Sequence, residues 1–349
     1  MKGRERMMSG DDDNGGGANA TPETSADAYA GFWRRLFAFL ADTVVLMVAG
    51  YALGTLFFDQ MAALGIAGRM VGWGLAILYF GVQNSRIAKG QTLGKRLLKV
   101  RVTGIDGHLL DPGTALVRAA VLTAPWFLNV YALAALSNDR SAQILGWAIG
   151  LVLLASGMTT FYLFLFNRPS RRSLHDLLCG SCTVTAASAS VPANLTWPSR
   201  RVLMGLAVPA ALLAATPVVF VRFFGPTLLP IYAAVDSLSE VMTVGVTQQK
   251  TMRVVNVSGS AAPALPSEFV AVSARLRIPV PAQDQRRELA HVAAAVLKAG
   301  TLAPTTHLVV SISYGFDLGF ASSYRGYGDG GPVAAWKTLI DQMAATGQN

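Results

Sequence analysis

Charged side chains are scarce in this 349-residue chain, since Asp, Glu, Lys and Arg make up 14% of it while 52% is hydrophobic. A soluble domain normally carries about a quarter charged residues, so much of the chain does not face water. Basic residues exceed acidic ones by 29 to 20, which gives a net charge of +9. These cations flank long apolar runs, a pattern that favours contact with anionic lipid headgroups and argues against a nucleic-acid partner.

Histidine and cysteine are also scarce, with four and two residues in the chain. No histidine lies in an H-E-x-x-H pattern, and no nucleophile elbow is present. Cys179 and Cys182 form a lone C-x-x-C. A zinc site would need two ligands besides these cysteines, and His175 is the one obvious candidate nearby. The sequence therefore predicts no enzyme activity, no catalytic residue, no metal site and no cofactor.

The chain divides into four predicted segments. The basic N-terminus is followed by an acidic, glycine-rich stretch from Asp11 to Gly17, where a cleavable signal would need an apolar core. Residues 1–28 are predicted to be a disordered tail, because they cannot bury enough apolar surface to offset the ordering entropy. The other segments are a transmembrane domain over 29–186, a cytoplasmic linker and fifth helix over 187–235, and an α+β domain over 236–349.

Five apolar segments are long enough to cross a hydrocarbon core of roughly 30 Å. These segments are Leu36–Phe58, Met61–Val82, Thr114–Leu136, Ser141–Phe166 and Val202–Val221. The predicted fold class is therefore an α-helical membrane protein with about five transmembrane helices, followed by a small α+β soluble domain.

Basic residues concentrate in two connections between the spans, over 86–101 and 168–201. The connections near Asp59 and Asn138 are short and poor in cations. The positive-inside rule places both basic connections and the N-terminus in the cytoplasm, and five crossings then leave the C-terminal domain extracytoplasmic. The side chains predicted to contact anionic headgroups are Lys95, Arg96, Lys99 and Arg101.

Period-two alternation replaces the long apolar runs in the last third of the chain. Every second residue is apolar over Val270–Val280 and Leu308–Phe316, which predicts two half-buried strands. Gln283–Ala299 has the pattern of an amphipathic helix, and Val333–Met343 follows a first-turn proline. The aromatic and glycine-rich segment Tyr314–Tyr327 is predicted to be either a binding loop or a turn packed against the membrane face.

Asp42 lies within the first predicted span, where a carboxylate costs roughly 2.5–3.5 kcal/mol near the helix centre. Such residues usually face a bundle interior and have a partner. Arg35 projects from nearly the same helical face, but about 10 Å away along the axis, which is too far for a direct salt bridge. Two interpretations of Asp42 stay open, namely a packing contact with a neighbouring helix and an ion or proton relay.

Three motifs resemble the RDD family of bacterial membrane proteins, which is named for one Arg and two Asp residues. Tyr29–Leu36, continuing to Asp42, resembles the family's opening, and Gly90–Arg96 resembles its motif after the second span. Arg172–Leu177 resembles its last motif. The family's Arg and two Asp then fall on Arg35, Asp42 and Asp176. The resemblance implies a bacterial cytoplasmic membrane.

Two functions stay open, because the resemblance implies a family whose role is mostly undefined, with transport proposed for some members. The first, preferred because of Asp42, is ion or small-solute transport past Arg35 and Asp42, with Asp176 at the cytoplasmic mouth. A homo-oligomer would be needed to enclose such a path. The second is a membrane anchor or scaffold that displays the outer domain to an envelope protein or ligand. Asp176 itself is expected to pair with its basic neighbours Arg168, Arg171 and Arg172.

Overall fold

The computed structural model describes residues 28–136, 139–168, 170–187, 197–250, 268–300 and 302–345. A helical part comes first and an α+β domain follows it. The predicted disordered tail, apart from Ala28, lies outside the described residues.

Three helical segments among the described residues are long and apolar enough to cross a membrane. They are α1 (Phe32–Leu56), the segment Gly65–Asn84 that ends in α3 (Gly68–Asn84), and α6 (Arg140–Phe166). A short helix, α2 (Phe58–Ala63), connects the first two. Large apolar side chains stay exposed on α1, including Val48 at 63% and Leu56 at 76%, as expected of a surface that faces lipid. These helices correspond to the first, second and fourth predicted spans.

The other two predicted spans are not among these three candidates, so the predicted count of five is not confirmed. The helix α5 (Pro112–Phe127) has 16 residues, and its length of about 24 Å is less than a hydrocarbon core of roughly 30 Å. A 3-10 helix, Asn129–Leu136, replaces the predicted continuation. Pro125, in the last turn of α5, lacks a backbone donor and favours this change. The last segment contains α8 (Arg200–Gly205) and the 30-residue helix α9 (Ala207–Asp236).

The basic connections fold against each other at one end of the helices, and we call residues 85–104 and 170–186 the cap. Its elements are α4 (Leu93–Leu97), β1 (Val100–Gly104), α7 (Leu174–Leu178) and β2 (Ser181–Thr185). The two strands pair antiparallel. Tyr29, just before α1, forms a bridge with Val184 on β2, so the chain enters its first membrane helix directly from the cap.

The α+β domain is a four-stranded sheet with helices on one face. Its elements are β3 (Val241–Lys250), β4 (Glu268–Leu276), α10 (Gln285–Lys298), β5 (His307–Asp317), β6 (Ser322–Pro332) and α11 (Val333–Ala345). The strands lie in the order β3-β4-β5-β6, and β4 and β5 are the parallel pair. The helix α10 provides the crossover that a parallel pair needs. The two predicted strands and two predicted helices of this domain are confirmed, whereas β3 and β6 were not predicted.

The hydrophobic core of this domain lies between the sheet and its helices. Val272 on β4 and Val310 on β5 are at most 1% exposed, and Val292 on α10 packs into the same cluster. Ile231 and Val235, near the end of α9, belong to that cluster too and are 0% exposed. The helix α9 therefore ends inside the core of the α+β domain.

The turn between β5 and β6 packs into the helical bundle, and we call Phe316–Ala321 the junction loop. Phe316 and Leu318 are 0% exposed. Four glycines, spaced as G-x-x-x-G on α1 and α3, leave room for the loop, because a Cβ at any of them would lie 2.9 Å or less from it. These glycines are Gly50, Gly54, Gly68 and Gly72. Of the two interpretations of the aromatic segment, the packed turn matches the junction loop, whereas the rest of Tyr314–Tyr327 belongs to the strands β5 and β6.

The cap and the junction loop contact opposite ends of α1. Arg35, in the first turn, donates a hydrogen bond to the Arg171 carbonyl oxygen in the cap. Gly54, in the last turn, receives the Phe316 ring. At about 1.5 Å per residue these positions lie roughly 28 Å apart along the helix, close to the ~30 Å thickness of a hydrocarbon core. The α+β domain and the basic connections are therefore separated by about one membrane thickness.

Gly72→Ala should destabilise the protein, because the Cβ position lies 1.8 Å from the Leu318 carbonyl oxygen. Overpacking of this kind costs about 1–3 kcal/mol, so we expect a lower midpoint of thermal unfolding for the detergent-solubilised variant. The matched control is Gly74→Ala on the same helix, where nothing lies within 4 Å of the Cβ position. The helix propensity of alanine should leave that variant as stable as wild type or stabilise it by up to about 1 kcal/mol. Equal midpoints for the two variants would contradict the packing of the loop against α3.

Candidate functional site

Asp42 faces the interior of the bundle and is 0% exposed. Its carboxylate accepts hydrogen bonds from the Tyr79 hydroxyl at 2.7 Å, the Thr92 hydroxyl at 2.5 Å and the Gly94 backbone N–H at 2.8 Å. Tyr79 belongs to α3, while the other two donors belong to the cap. The carboxylate thus joins two membrane helices to the start of α4.

The local sequence around α4 explains why the cap approaches α1 so closely. Thr92 is the N-cap of α4, and its hydroxyl accepts a hydrogen bond from the Lys95 backbone N–H. A Cβ at Gly94 would lie 2.2 Å from the Ala38 carbonyl oxygen of α1, so only glycine fits at this position. The motif Gly90–Arg96 therefore supplies the donors and the space that Asp42 needs.

Asp176 is the centre of a second buried cluster and is also 0% exposed. Arg118 from α5 donates to its Oδ1 from Nε at 3.0 Å and from Nη2 at 2.7 Å. Arg35 from α1 donates to its Oδ2 at 3.0 Å, and the Ser181 hydroxyl donates to Oδ1 at 2.9 Å. The carboxylate also completes a capping box with Ser173 at the start of α7. The helices α1 and α5 and the cap therefore meet on one carboxylate.

The expected pairing of Asp176 with its basic neighbours is wrong. Arg172 donates to the backbone carbonyl oxygens of Ser181 and Asp176, and Arg171 donates to those of Phe164 and Leu165. Among the described residues, the ion-pair partners of Asp176 are Arg35 and Arg118. Asp176 pairs with residues distant in sequence rather than with its neighbours, because α1 and α5 each direct a guanidinium into the cap.

Arg118 was missed as a site residue, although the sequence contains a signal for it. An arginine inside an apolar helix must have a partner, as a carboxylate must, and Arg118 is 3% exposed. Arg35 and Asp42 were predicted to lie along one polar path. The structure instead places them in different clusters, with Arg35 on Asp176 and Asp42 on Thr92 and Gly94.

The charges of the Asp176 cluster are fixed by its surroundings. Burial alone would raise the pKa of Asp176, but Arg118, with His175 and Arg35, holds that pKa well below its usual value. Burial lowers the pKa of His175 to about 3. Near neutral pH the aspartate is therefore charged and the histidine is neutral. The ion pair keeps its full stabilising effect above the unfolded-state pKa of about 4 and loses it as the pH falls through the lower folded-state pKa.

Lys95 differs from its predicted role as a headgroup contact. Its ammonium group is directed inward and donates a hydrogen bond to the Asn84 amide oxygen. Burial and the nearby Arg118 hold the pKa of Lys95 well below its usual value. Arg96 and Lys99 are exposed and remain able to contact headgroups, while Arg101 is half-buried on β1.

Cys179 and Cys182 are free thiols in the cap. Cys182 is 0% exposed and lies 3.4 Å from the Thr103 hydroxyl, and burial raises its pKa. Among the described residues, the one group of His, Cys, Asp or Glu side chains placed to hold a metal ion lies in the α+β domain and includes neither cysteine.

Comparison with known proteins agrees with this division of the chain. The model of the RDD family matches residues 29–180, which contain both clusters and the cap. No curated protein and no solved structure matches the chain. Residues 29–180 therefore match the RDD family, and we call this segment the RDD domain; the α+β domain lies outside the match.

Asp176→Asn should destabilise the RDD domain strongly, because it leaves Arg35 and Arg118 buried without a counter-charge. Removing one partner of a buried ion pair costs about 3–5 kcal/mol, so thermal unfolding in detergent should begin at a much lower temperature. The control is Asp106→Asn, at an exposed loop residue whose carboxylate accepts one backbone hydrogen bond that asparagine can also accept. If both variants unfold with the wild type, the Asp176 cluster does not hold the helices together.

Proposed function

We propose that the chain is a membrane anchor, whose RDD domain holds the α+β domain in one orientation at the membrane surface for binding of another envelope protein. The observation that carries this proposal is the junction loop. Its apolar side chains fill a glycine-lined crevice at the end of the bundle opposite the cap. A flexible linker would suffice if the domain did not need a defined orientation. The proposed role requires no catalytic residue.

Polar contacts around the junction loop support a fixed orientation. Arg69 on α3 donates to the Asp317 carboxylate at 2.9 Å and to the Asn129 amide oxygen at 2.6 Å. The indole N–H of Trp126 on α5 donates to the Gly319 carbonyl oxygen at 3.0 Å. Both Arg69 and Asp317 are largely buried, with side chains 21% and 12% exposed. The loop is thus held by apolar contacts and by directed hydrogen bonds.

The charge distribution supports an extracytoplasmic position for the domain. The cap contains the basic connections, which the positive-inside rule assigns to the cytoplasm. The junction loop packs at the other end of α1, roughly 28 Å away at about 1.5 Å per residue. A cytoplasmic cap therefore implies an outer α+β domain.

The sheet offers a surface for the proposed partner. Its face away from α10 carries small side chains, among them Ser273 and Ser311, whose hydroxyl oxygens lie 2.9 Å apart. Opposite Ser311 and Ser313 on the edge strand β6 lie Gly328 and Gly326. These hydroxyl groups and glycines leave part of the face open to close contact with another protein, beside Arg275, which belongs to the same face and stacks on Tyr324.

Transport is the second candidate, and the observation that favours it is a fully buried carboxylate within a candidate span. Asp42 has the position expected of an ion or proton relay. Its oxygens, however, are already bonded to three donors. The groove of about 440 Å³ beside α6 is apolar and is lined by residues such as Pro125, Leu153 and Phe161, away from Asp42. The anchor is therefore the better-supported proposal.

Thiol labelling tests the orientation on which the anchor depends. In a Cys179→Ser background, single cysteines replace the exposed residues Asp329 on β6 and Arg96 in the cap; the remaining Cys182 is 0% exposed. A membrane-impermeant maleimide should label Asp329→Cys in intact spheroplasts, and Arg96→Cys only after permeabilisation. Labelling of both from the same side would exclude the proposed arrangement.

A flux measurement separates the anchor from the transporter. Proteoliposomes with the wild-type chain and a pH gradient should lose that gradient no faster than protein-free liposomes, because Asp42 serves as a packing contact. Proton or cation flux that is present in wild type and lost in a folded Asp42→Asn variant would replace the anchor by the transport hypothesis. Circular dichroism of both proteins checks that the variant is folded.

A further inference from the structure

Three side chains with metal-binding chemistry converge on the helical side of the α+β domain. Glu288 and His291 lie one turn apart on α10, so both project from the same helical face. Glu240 directly precedes β3, which follows the end of α9. Glu240 is far from the other two in sequence but adjacent to them in the fold.

The geometry of the three side chains suits a single ion. One ligand atom from each residue lies within 4.8 Å of the other two. Donors bound to one zinc ion at about 2.0–2.2 Å are separated by roughly 3.4 Å in a tetrahedral site. Small rotamer adjustments therefore bring all three donors onto one ion.

One acceptor in this group lacks a hydrogen bond. Glu240 Oε1 is enclosed, and no hydrogen bond of the described residues reaches it, although His291 Nδ1 lies 2.9 Å away. A shared metal ion would satisfy this acceptor and the imidazole nitrogen beside it. Glu288 brings a second carboxylate to the same point, and two close carboxylates repel each other unless a cation lies between them.

Among the described residues, the neighbouring arginines form no close ion pair with either carboxylate. Arg287 lines the same cavity as Glu288, but among the described residues no ion pair joins it to either carboxylate. The Arg277 guanidinium donates to the Ser239 carbonyl oxygen rather than to Glu240. The described residues thus offer the two glutamates the His291 imidazole and the nearby Arg287, and a metal ion among the three ligand atoms would add positive charge directly between the carboxylates.

The site also leaves room for a further ligand. A cavity of about 400 Å³ between α10 and α11 is lined by Glu288 and His291, with Ile340 and Met343 on its far side. The His291 side chain is 54% exposed, so an ion can enter from solvent. An ion bound by three protein ligands would present an open position, available to water or to a group from another molecule.

We propose that Glu240, Glu288 and His291 form a binding site for a divalent transition-metal ion, with Zn²⁺ as the best match. One imidazole nitrogen and two carboxylate oxygens form a mixed donor set that zinc accepts readily. Calcium and magnesium prefer oxygen ligands alone and would gain less from His291. The site is independent of the RDD domain and of the proposed anchor role.

Isothermal titration of the full-length protein with ZnCl₂ tests this proposal. The protein is purified in detergent without a polyhistidine tag and is first stripped with a chelator. We expect saturable binding by wild type and a loss of affinity of at least about 10-fold for His291→Ala and Glu288→Gln, since even second-shell changes cost about 10–100-fold. Zinc should also raise the midpoint of thermal unfolding of wild type but not of these variants.

The matched control is His307→Ala, at the other histidine of the same domain, which lies outside the cluster. It should bind zinc as wild type does. The proposal is overturned if wild type shows no saturable binding, or if folded His291→Ala and Glu288→Gln proteins bind as tightly as the His307→Ala control.

Discussion

The ion pair of Asp176 with Arg35 and Arg118 is the contact on which the helical part of the protein depends. Each of these charges is buried, and an isolated ion in a low-dielectric interior costs several kcal/mol even after relaxation. Arg35 belongs to α1, Arg118 to α5 and Asp176 to the cap. Separating any of these three elements from the others would therefore leave a buried charge without its partner. The second positive charge is accommodated because Arg35 also donates to the carbonyl oxygens of Ser170 and Arg171.

The helix α1 connects these polar contacts near the cap to the apolar contacts at the other end of the bundle. Asp42, near the cap, ties α1 to α3 through Tyr79 and to α4 through Gly94. Gly50 and Gly54, in its last turns, form one wall of the crevice that receives the junction loop. Since the opposite wall belongs to α3, the crevice has the right width only while α1 and α3 keep their spacing. The polar contacts at one end therefore help to define the apolar fit at the other.

The sequence was most informative where a single periodicity dominates. The alternation around Val272 and Val310 predicted β4 and β5, and long apolar runs predicted α1 and α6. The partners of the buried charges could not be predicted from one sequence, because the Arg118–Asp176 contact joins residues 58 positions apart. The edge strand β6 was not predicted because its glycines interrupt the alternation of apolar and polar residues. Pairing with β5 nevertheless holds it in the sheet. Lys95 was predicted to contact lipid headgroups because it lies in a basic connection. Its burial depends on how the cap folds onto α3, which the sequence pattern does not show.

The α+β domain is attached to the helical part at two points, and both attachments restrict its movement. Its covalent attachment is α9, whose last turns enter the domain core through Ile231 and Val235. Attachment through a single helix would still allow the domain to rotate relative to the other helices. The junction loop adds a second contact on α1 and α3, and two separated points fix a rigid body far better than one does. Rocking of the helices against each other, as alternating access requires, would have to open the glycine-lined crevice and expose Phe316 and Leu318. The same contacts that suit an anchor therefore oppose the motion that a transporter would need.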